Sequence, residues 1–270
     1  MKVQWLGTAA AEGWPALFCR CESCRRAAEL GGKNIRMRAS ALIDDELLID
    51  AGPDLYAQKL RFNLDLAKVR TILITHIHSD HFLPDTFELL DEVYVGGEKR
   101  EKTELYGPVD VIGKLADYSH LLELHTVCAG DAFDTCTGHH VIVLPAVHSA
   151  ENGVFYLVQK EKKSVLYAHD TGVFSNEAKN ILRAKVMRPI DIVSFDCCYG
   201  TLPHEYGGHM GIEENALMRK FLENELLADG HTYCVCNHFS HNCRLTHEEL
   251  LREAGRFGLD VCYDGMLKEV

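Results

Sequence analysis

Along the chain, short apolar runs alternate with turn residues, and residues 3–6, 41–43, 47–49 and 71–75 read as strands. Asp50-Ala51-Gly52-Pro53 ends the third run with turn-favouring residues, and Asp54 is placed to cap a helix reaching about Phe62. Residues 84–90, opening on Pro84, predict a second short helix. In the second half, residues 141–144, 154–158, 164–167, 191–195 and 232–236 repeat the strand pattern. Between them, 176–184 and 212–227 carry helical spacing, and Thr246 predicts the cap of a last helix that stops near Gly255. Strand and helix alternate to the end without linker, low-complexity tract or short repeat, the texture of an α/β fold. The halves look alike but do not align as a duplication.

Composition narrows this picture. A chain of 270 residues, 47% hydrophobic and with 7 prolines, has the material for one folded domain over 1–270. Its 40 acidic against 28 basic side chains give a net charge of −12, which repels a polyanion and makes nucleic acid an unlikely partner. The N-terminal MKVQWLGTAAAEGWPAL has no sustained apolar run, and no window approaches the ~18 apolar residues of a membrane span. The expectation is a cytoplasmic protein with no membrane partner. Against that background, 11 cysteines point to metal rather than to disulfides, and 15 histidines add neutral imidazole ligands.

The densest chemistry is Thr75-His76-Ile77-His78-Ser79-Asp80-His81, which follows a strand and precedes residues 84–90. Extended backbone puts His76 and His78 on one side, and turning the chain brings Asp80 and His81 into the same space. A clustered histidine surplus at a strand end has no packing purpose. One ion needs three such groups and water, so this supply suggests two adjacent divalent ions, with further ligands from other strand ends. The candidates are His148, Asp170 and His238. A pair of ions lowers the pKa of water and neutralises charge in a hydrolytic transition state.

The order His-x-His-x-Asp-His, histidine, aspartate, histidine resembles the metallo-β-lactamase fold superfamily, as does Leu48-Ile49-Asp50-Ala51-Gly52. The resemblance implies a four-layer αββα sandwich with both ions, manganese or zinc, at one edge. It assigns His76, His78 and His148 to one ion, Asp80, His81 and His238 to the other, and Asp170 between them. Asp50 would support the ligands from behind.

Cys19-Arg20-Cys21-Glu22-Ser23-Cys24 holds three thiols at a spacing that wraps one tetrahedral zinc, in a loop at about 15–30. The fourth ligand is His241, three residues after His238, with Cys236 and Cys243 as alternatives. Such a zinc is structural, because a closed shell leaves no position for water.

Gly7-Thr8-Ala9 through Pro15, followed by this cysteine cluster, Asn237-His238-Phe239-Ser240-His241 and Tyr263-Asp264-Gly265-Met266, is similar to the phosphoribosyl 1,2-cyclic phosphate phosphodiesterases. The resemblance implies a small-molecule phosphodiester substrate, a homodimer, and a proton-donating or phosphate-binding role for His209, which joins Asp80 as a catalytic residue. Residues 199–206 depart from that family's pattern, and they lead into the expected substrate loop. Arg36 and Arg38, on the segment after the cysteines, are expected mainly as solvated or acid-paired surface residues, with binding of a second phosphate as the alternative. Cys197 and Cys198 lack an evident activating base and are not taken as nucleophiles. Two other branches fit the ligand order: an RNA-processing endonuclease, and a pyrroloquinoline quinone biosynthesis-type oxidoreductase, which shares the Cys-x-Cys-x-x-Cys.

Overall fold

The structure, a computed structural model, describes residues 1–97, 100–203 and 207–270. In chain order its elements are β1 (Lys2–Gly7), α1 (Glu22–Leu30), β2 (Ser40–Ile43), β3 (Leu47–Ile49), α2 (Leu55–Phe62), β4 (Thr71–Leu73), β5 (Thr103–Gly107), α3 (Val109–Lys114) and β6 (Leu122–Thr126). They continue with β7 (Ala132–Asp134), β8 (His140–Pro145), β9 (Val154–Lys160), β10 (Lys163–Ala168), α4 (Asn176–Lys185), β11 (Ile192–Asp196), α5 (Ile212–Asn224), β12 (Tyr233–Asn237), α6 (His247–Gly255), β13 (Asp260–Val261) and β14 (Leu267–Glu269).

Two seven-stranded mixed sheets result, in the orders β14-β1-β2-β3-β4-β5-β6 and β13-β12-β11-β10-β9-β8-β7. Their facing surfaces form one apolar layer. Val3, Trp5, Ala41, Ile43, Leu47, Ile49 and Leu73 come from the first sheet, and Val141, Val143, Tyr156, Val165, Tyr167 and Val235 from the second. Neighbours along the same strands point outward, as period-two alternation requires. Leu42, Leu48 and Ile72 pack with Val111, Leu55 and Phe62 on one outer face. Ile142, Leu144, Leu157 and Leu166 pack with Leu182, Ile212, Leu222 and Leu250 on the other. Helices therefore cover both outer faces, giving the αββα sandwich.

Several elements differ from the sequence expectation. The strand expected over 71–75 pairs only to Leu73, because Ile74 and Thr75 turn to serve neighbouring elements. Residues 84–90 form a 3₁₀ helix rather than an α-helix. The helix expected over 212–227 stops at Asn224, and Leu226 then takes a left-handed backbone with φ 59°. β5, α3, β6, β7, β14 and α1 were not anticipated. Polar positions such as Glu104, Glu123 and His125 interrupt the apolar runs of β5 and β6.

Arg36 departs from the expected surface role. It is 3% exposed, donating to Thr8 Oγ1 at 2.7 Å and to the Cys262 carbonyl at 2.6 Å, with its guanidinium over the Phe239 ring at 4.4 Å. Polar partners from three segments converge there, and a buried arginine satisfies them together. Arg38 is acid-paired, at 2.8 Å from Asp54.

Candidate metal centre

The site forms where strands of both sheets end. β4 leads into 74–81, β8 into 146–148, β10 into Asp170, β11 ends on Asp196 and β12 runs into His238. Asp170 (φ 48°), His238 (φ 58°) and Asp50 (φ 62°), which follows β3, leave their strands with a left-handed backbone. Non-glycine residues rarely hold that conformation, and here buried partners fix each one, aiming Asp170 and His238 at the common edge and Asp50 at Thr75 and His81 Nδ1 behind it. Gly52 allows the loops to close: a Cβ there would sit 1.9 Å from the Asp80 carbonyl oxygen.

The structure brings all seven expected ligands together, in two groups. His76 Nε2 and His148 Nε2 lie 2.9 and 3.1 Å from His78 Nδ1. Asp80, His81, Asp170 and His238 present ligand atoms within 4.8 Å of one another. Asp170 stands between the groups. Its Oδ2 contacts His81 Nε2, lies 3.1 Å from His238 Nε2 and 3.9 Å from His76 Nε2, while Oδ1 is 3.7 Å from His148.

Outer nitrogens are occupied in ways that leave the inner ones free. His81 Nδ1 donates to Asp50 Oδ2 at 2.6 Å and His148 Nδ1 to the Gly208 carbonyl at 3.1 Å. His76 Nδ1 donates to Thr75 Oγ1 at 3.0 Å, and that hydroxyl donates to Asp50. Such outer partners set the tautomer and orientation of metal-binding imidazoles.

Two observations test whether these residues fit divalent ions. His81 Nε2, His238 Nε2 and Asp170 Oδ2 are buried and crowd one another without hydrogen-bond geometry, a costly arrangement that a shared cation would relieve. Charge agrees: burial disfavours protonated His81, yet Asp170, Asp50 and Asp80 hold its pKa well above the usual histidine range. The pocket calls for positive charge, and ions supply it without protonating ligands. The donor set fits.

His209 reaches the same edge. Its Nδ1 donates to Asp196 Oδ2 at 2.8 Å and lies 3.5 Å from Asp170 Oδ1. Burial lowers its pKa, but the Asp196 carboxylate outweighs that and raises it. Asp196 itself was missed by sequence reasoning. Buried at the end of β11, it also accepts the backbone N–H groups of Cys198 and Met210 at 3.0 and 3.1 Å. The available signal was an aspartate closing an apolar strand whose last residue pairs with Asn237, next to His238. Of residues 199–206, positions 204–206 lie outside the described residues.

The cysteine cluster gathers as expected. His241 Nδ1 lies 3.8, 3.4 and 3.5 Å from the Sγ atoms of Cys19, Cys21 and Cys24. Backbone N–H groups of Cys21, Cys24 and Ala16 donate to those three sulfurs in turn, and at Cys24 burial outweighs the Ala16 N–H and pushes the thiol up to about 12. The Cys24 N–H leads in lowering the Cys21 thiol to about 6. The alternatives sit elsewhere: Cys236 Sγ accepts from Asn215, and Cys243 packs in the outer core. Glu12, also unanticipated, accepts Ser240 Oγ at 2.5 Å and lies 3.7 Å from His241 Nε2.

Residues 45–228 match the model of the beta-lactamase superfamily domain. A ribonuclease Z of Leuconostoc mesenteroides is 26% identical over 172 residues, 60% of this chain and 49% of that protein. The match thus spans about half the length of this curated relative. Among solved structures, a diphosphatase of the PhnP family superposes with a TM-score of 0.75 at 25% identity, over 100% of this chain and 97% of that one. Zn²⁺-bound PqqB from Methylobacterium extorquens gives 0.77 at 18% identity over 100% of both chains. The short form of human tRNase Z gives 0.64 at 20% identity, over 100% and 99%.

Proposed function

The chain belongs to the beta-lactamase superfamily, and from that premise we propose a metal-dependent phosphodiesterase that hydrolyses a small cyclic or sugar phosphodiester, such as phosphoribosyl 1,2-cyclic phosphate. The observation that carries this reading is Asp170, whose carboxylate stands between two imidazole groups with His209 alongside. His76, His78 and His148 would hold one ion and Asp80, His81 and His238 the other, with Asp170 shared; manganese or zinc suits these donors. Such ions, when bound, acidify water from a pKa of ~15.7 towards about 7 and neutralise charge on the phosphoryl group.

The chain's own groups do the rest. Asp50 and Gly208 lock His81 and His148 so that reorganisation during the reaction is small. Asp80 would serve as a ligand whose carboxylate also orients the attacking water. His209 keeps its Nδ1 proton on Asp196, so Nε2 is the atom that gives a proton to the leaving oxygen. After transfer the imidazole is neutral and still anchored. Cys19, Cys21, Cys24 and His241 would hold a structural zinc that pins residues 237–241 against the N-terminal loop.

The likeness to a PhnP-family diphosphatase supports attack at phosphorus. The ribonuclease Z relative favours a second reading, RNA cleavage, against which the net charge of −12 counts. The deciding experiment assays purified protein with bis(p-nitrophenyl) phosphate, ribose cyclic phosphates and an RNA oligonucleotide, with Mn²⁺ or Zn²⁺ added. Metal-dependent turnover of the small esters is the expected result. Cleavage of RNA alone transfers the assignment to a nuclease, and no turnover of either sinks hydrolysis of phosphodiesters. A homodimer, which the family resemblance implies, would appear directly in light scattering.

A further inference from the structure

Beside the catalytic ligands lies another convergence of donors that the reaction above does not use as a metal position. Cys198 Sγ, a ring nitrogen of His209 and a ring nitrogen of His238 all lie within 4.8 Å of one another. Asp196 Oδ2 is 2.8 Å from His209 Nδ1 and 3.3 Å from His238 Nδ1. The second contact misses good hydrogen-bond geometry, so Nδ1 of the 1%-exposed His238 has the Asp196 carboxylate beside it without a well-aligned bond. Cys198 is buried as well, with its Sγ beside both imidazoles. The buried thiol beside two imidazoles has no part in the hydrolysis described above. It is a good receptor for a soft ion.

We propose that Cys198, His209 and His238 form an inhibitory site for a soft divalent cation, zinc or cadmium, adjacent to the catalytic pair. A thiolate and imidazole nitrogens select such ions over manganese, which prefers oxygen donors. On binding, the Cys198 Sγ proton and the protons on the coordinating nitrogens of His209 and His238 pass to solvent, the metal–sulfur and metal–nitrogen bonds form, and no oxidation state changes. Asp196, already beside both imidazoles, balances the added charge. The inhibitory consequence rests on the proposed role of His209, because an ion on that imidazole withdraws the proton donor. Occupancy of the site does not depend on that role.

The test uses the full-length holoprotein. Cadmium NMR of the wild type should show, besides a three-thiolate resonance from Cys19, Cys21 and Cys24, a separate one-thiolate resonance that Cys198→Ser and Cys198→Ala both lose. Equilibrium dialysis should find one ion fewer in each variant. In the manganese-loaded enzyme, the Zn²⁺ or Cd²⁺ concentration that halves the rate should rise by about tenfold or more in Cys198→Ser, relative to its own uninhibited rate. Absence of the one-thiolate resonance in the wild type overturns the proposal, whether or not the variants fold. Equal inhibition of wild type and variant overturns its functional half. If no phosphodiester is turned over at all, the catalytic reading fails while the resonance still decides the cation site.

Discussion

Asp50 organises the centre without facing its edge. One buried carboxylate accepts the Thr75 N–H at 2.8 Å, the Thr75 hydroxyl at 3.0 Å and the His81 Nδ1 proton at 2.6 Å. Replacing Asp50 by Ala should leave His81 free to rotate or change tautomer, and lower divalent-metal affinity by about 10–100-fold, read by competition with a chelating dye. His209 makes the opposite case, a residue whose loss spares the ligands. His209→Ala should cut kcat by roughly 10²–10⁴ while the manganese content of the manganese-loaded enzyme, by atomic emission, stays that of the wild type. Loss of manganese would reassign it as a ligand of the catalytic pair. Gly52 shows how a backbone atom shapes such a site: any side chain there meets the Asp80 carbonyl. The histidine run was legible because four ligand-type residues in six positions have no other use at a strand end. Asp196 was not, because a lone aspartate after an apolar strand has many uses until a fold sets it beside His209.

Among elements, α6 illustrates how far local chemistry reaches. Thr246 accepts the Glu249 N–H while Glu249 accepts the Thr246 N–H at 2.7 Å, a reciprocal cap written in the sequence as Thr-x-x-Glu. Glu249 also pairs with Arg26 of α1 at 2.8 Å, which the sequence does not announce. The Thr246 N–H first, and Arg26 after it, lower the Glu249 pKa from 4.5 to about 2. A depressed folded-state pKa gives stability that is complete above 4.5 and lost as pH falls through about 2. Glu249→Ala should therefore cost about 1 kcal/mol at neutral pH, and urea unfolding should show its gap from wild type closing across that acid window. A gap that persists unchanged in acid would remove the charge from the explanation. β2 and β8 were readable for an equally local reason: Ala41 and Ile43 face inward with Leu42 outward, as Val141 and Val143 do with Ile142. β5 and β6 broke that alternation with exposed or half-buried polar residues.

For the whole molecule, the distant ends of the chain meet behind the active-site loop. Arg36 binds Thr8 and Cys262, and reaches His247 Nδ1 at 3.1 Å, while Asp264 accepts Thr8 Oγ1 and the Met37 N–H, each at 2.6 Å. Arg36→Met should leave these groups unpaired and cost about 3 kcal/mol or more in chemical denaturation. A change within experimental error would show that water replaces the guanidinium. The cysteine cluster ties the same region: Cys21→Ser should lose one zinc per chain and lower the Tm markedly, since structural zinc binding is worth on the order of 10 kcal/mol. Full metal content in that variant would exclude the cluster as a metal site. No helix among the described residues is long and apolar enough to cross a membrane. Taken alone, the sequence determined the alternation of strands and helices, the two ligand-rich loops and the family they resemble, because periodicity, caps and clustered ligands act over a few residues. Tertiary structure alone decided that Asp170 stands between two imidazole groups, that His241 rather than Cys236 or Cys243 joins the three thiols, and that Arg36 is buried. Those outcomes depend on side chains from strands far apart in the chain arriving at one sheet edge, and sequence spacing carries no information about which distant groups will share a dielectric and a set of hydrogen bonds.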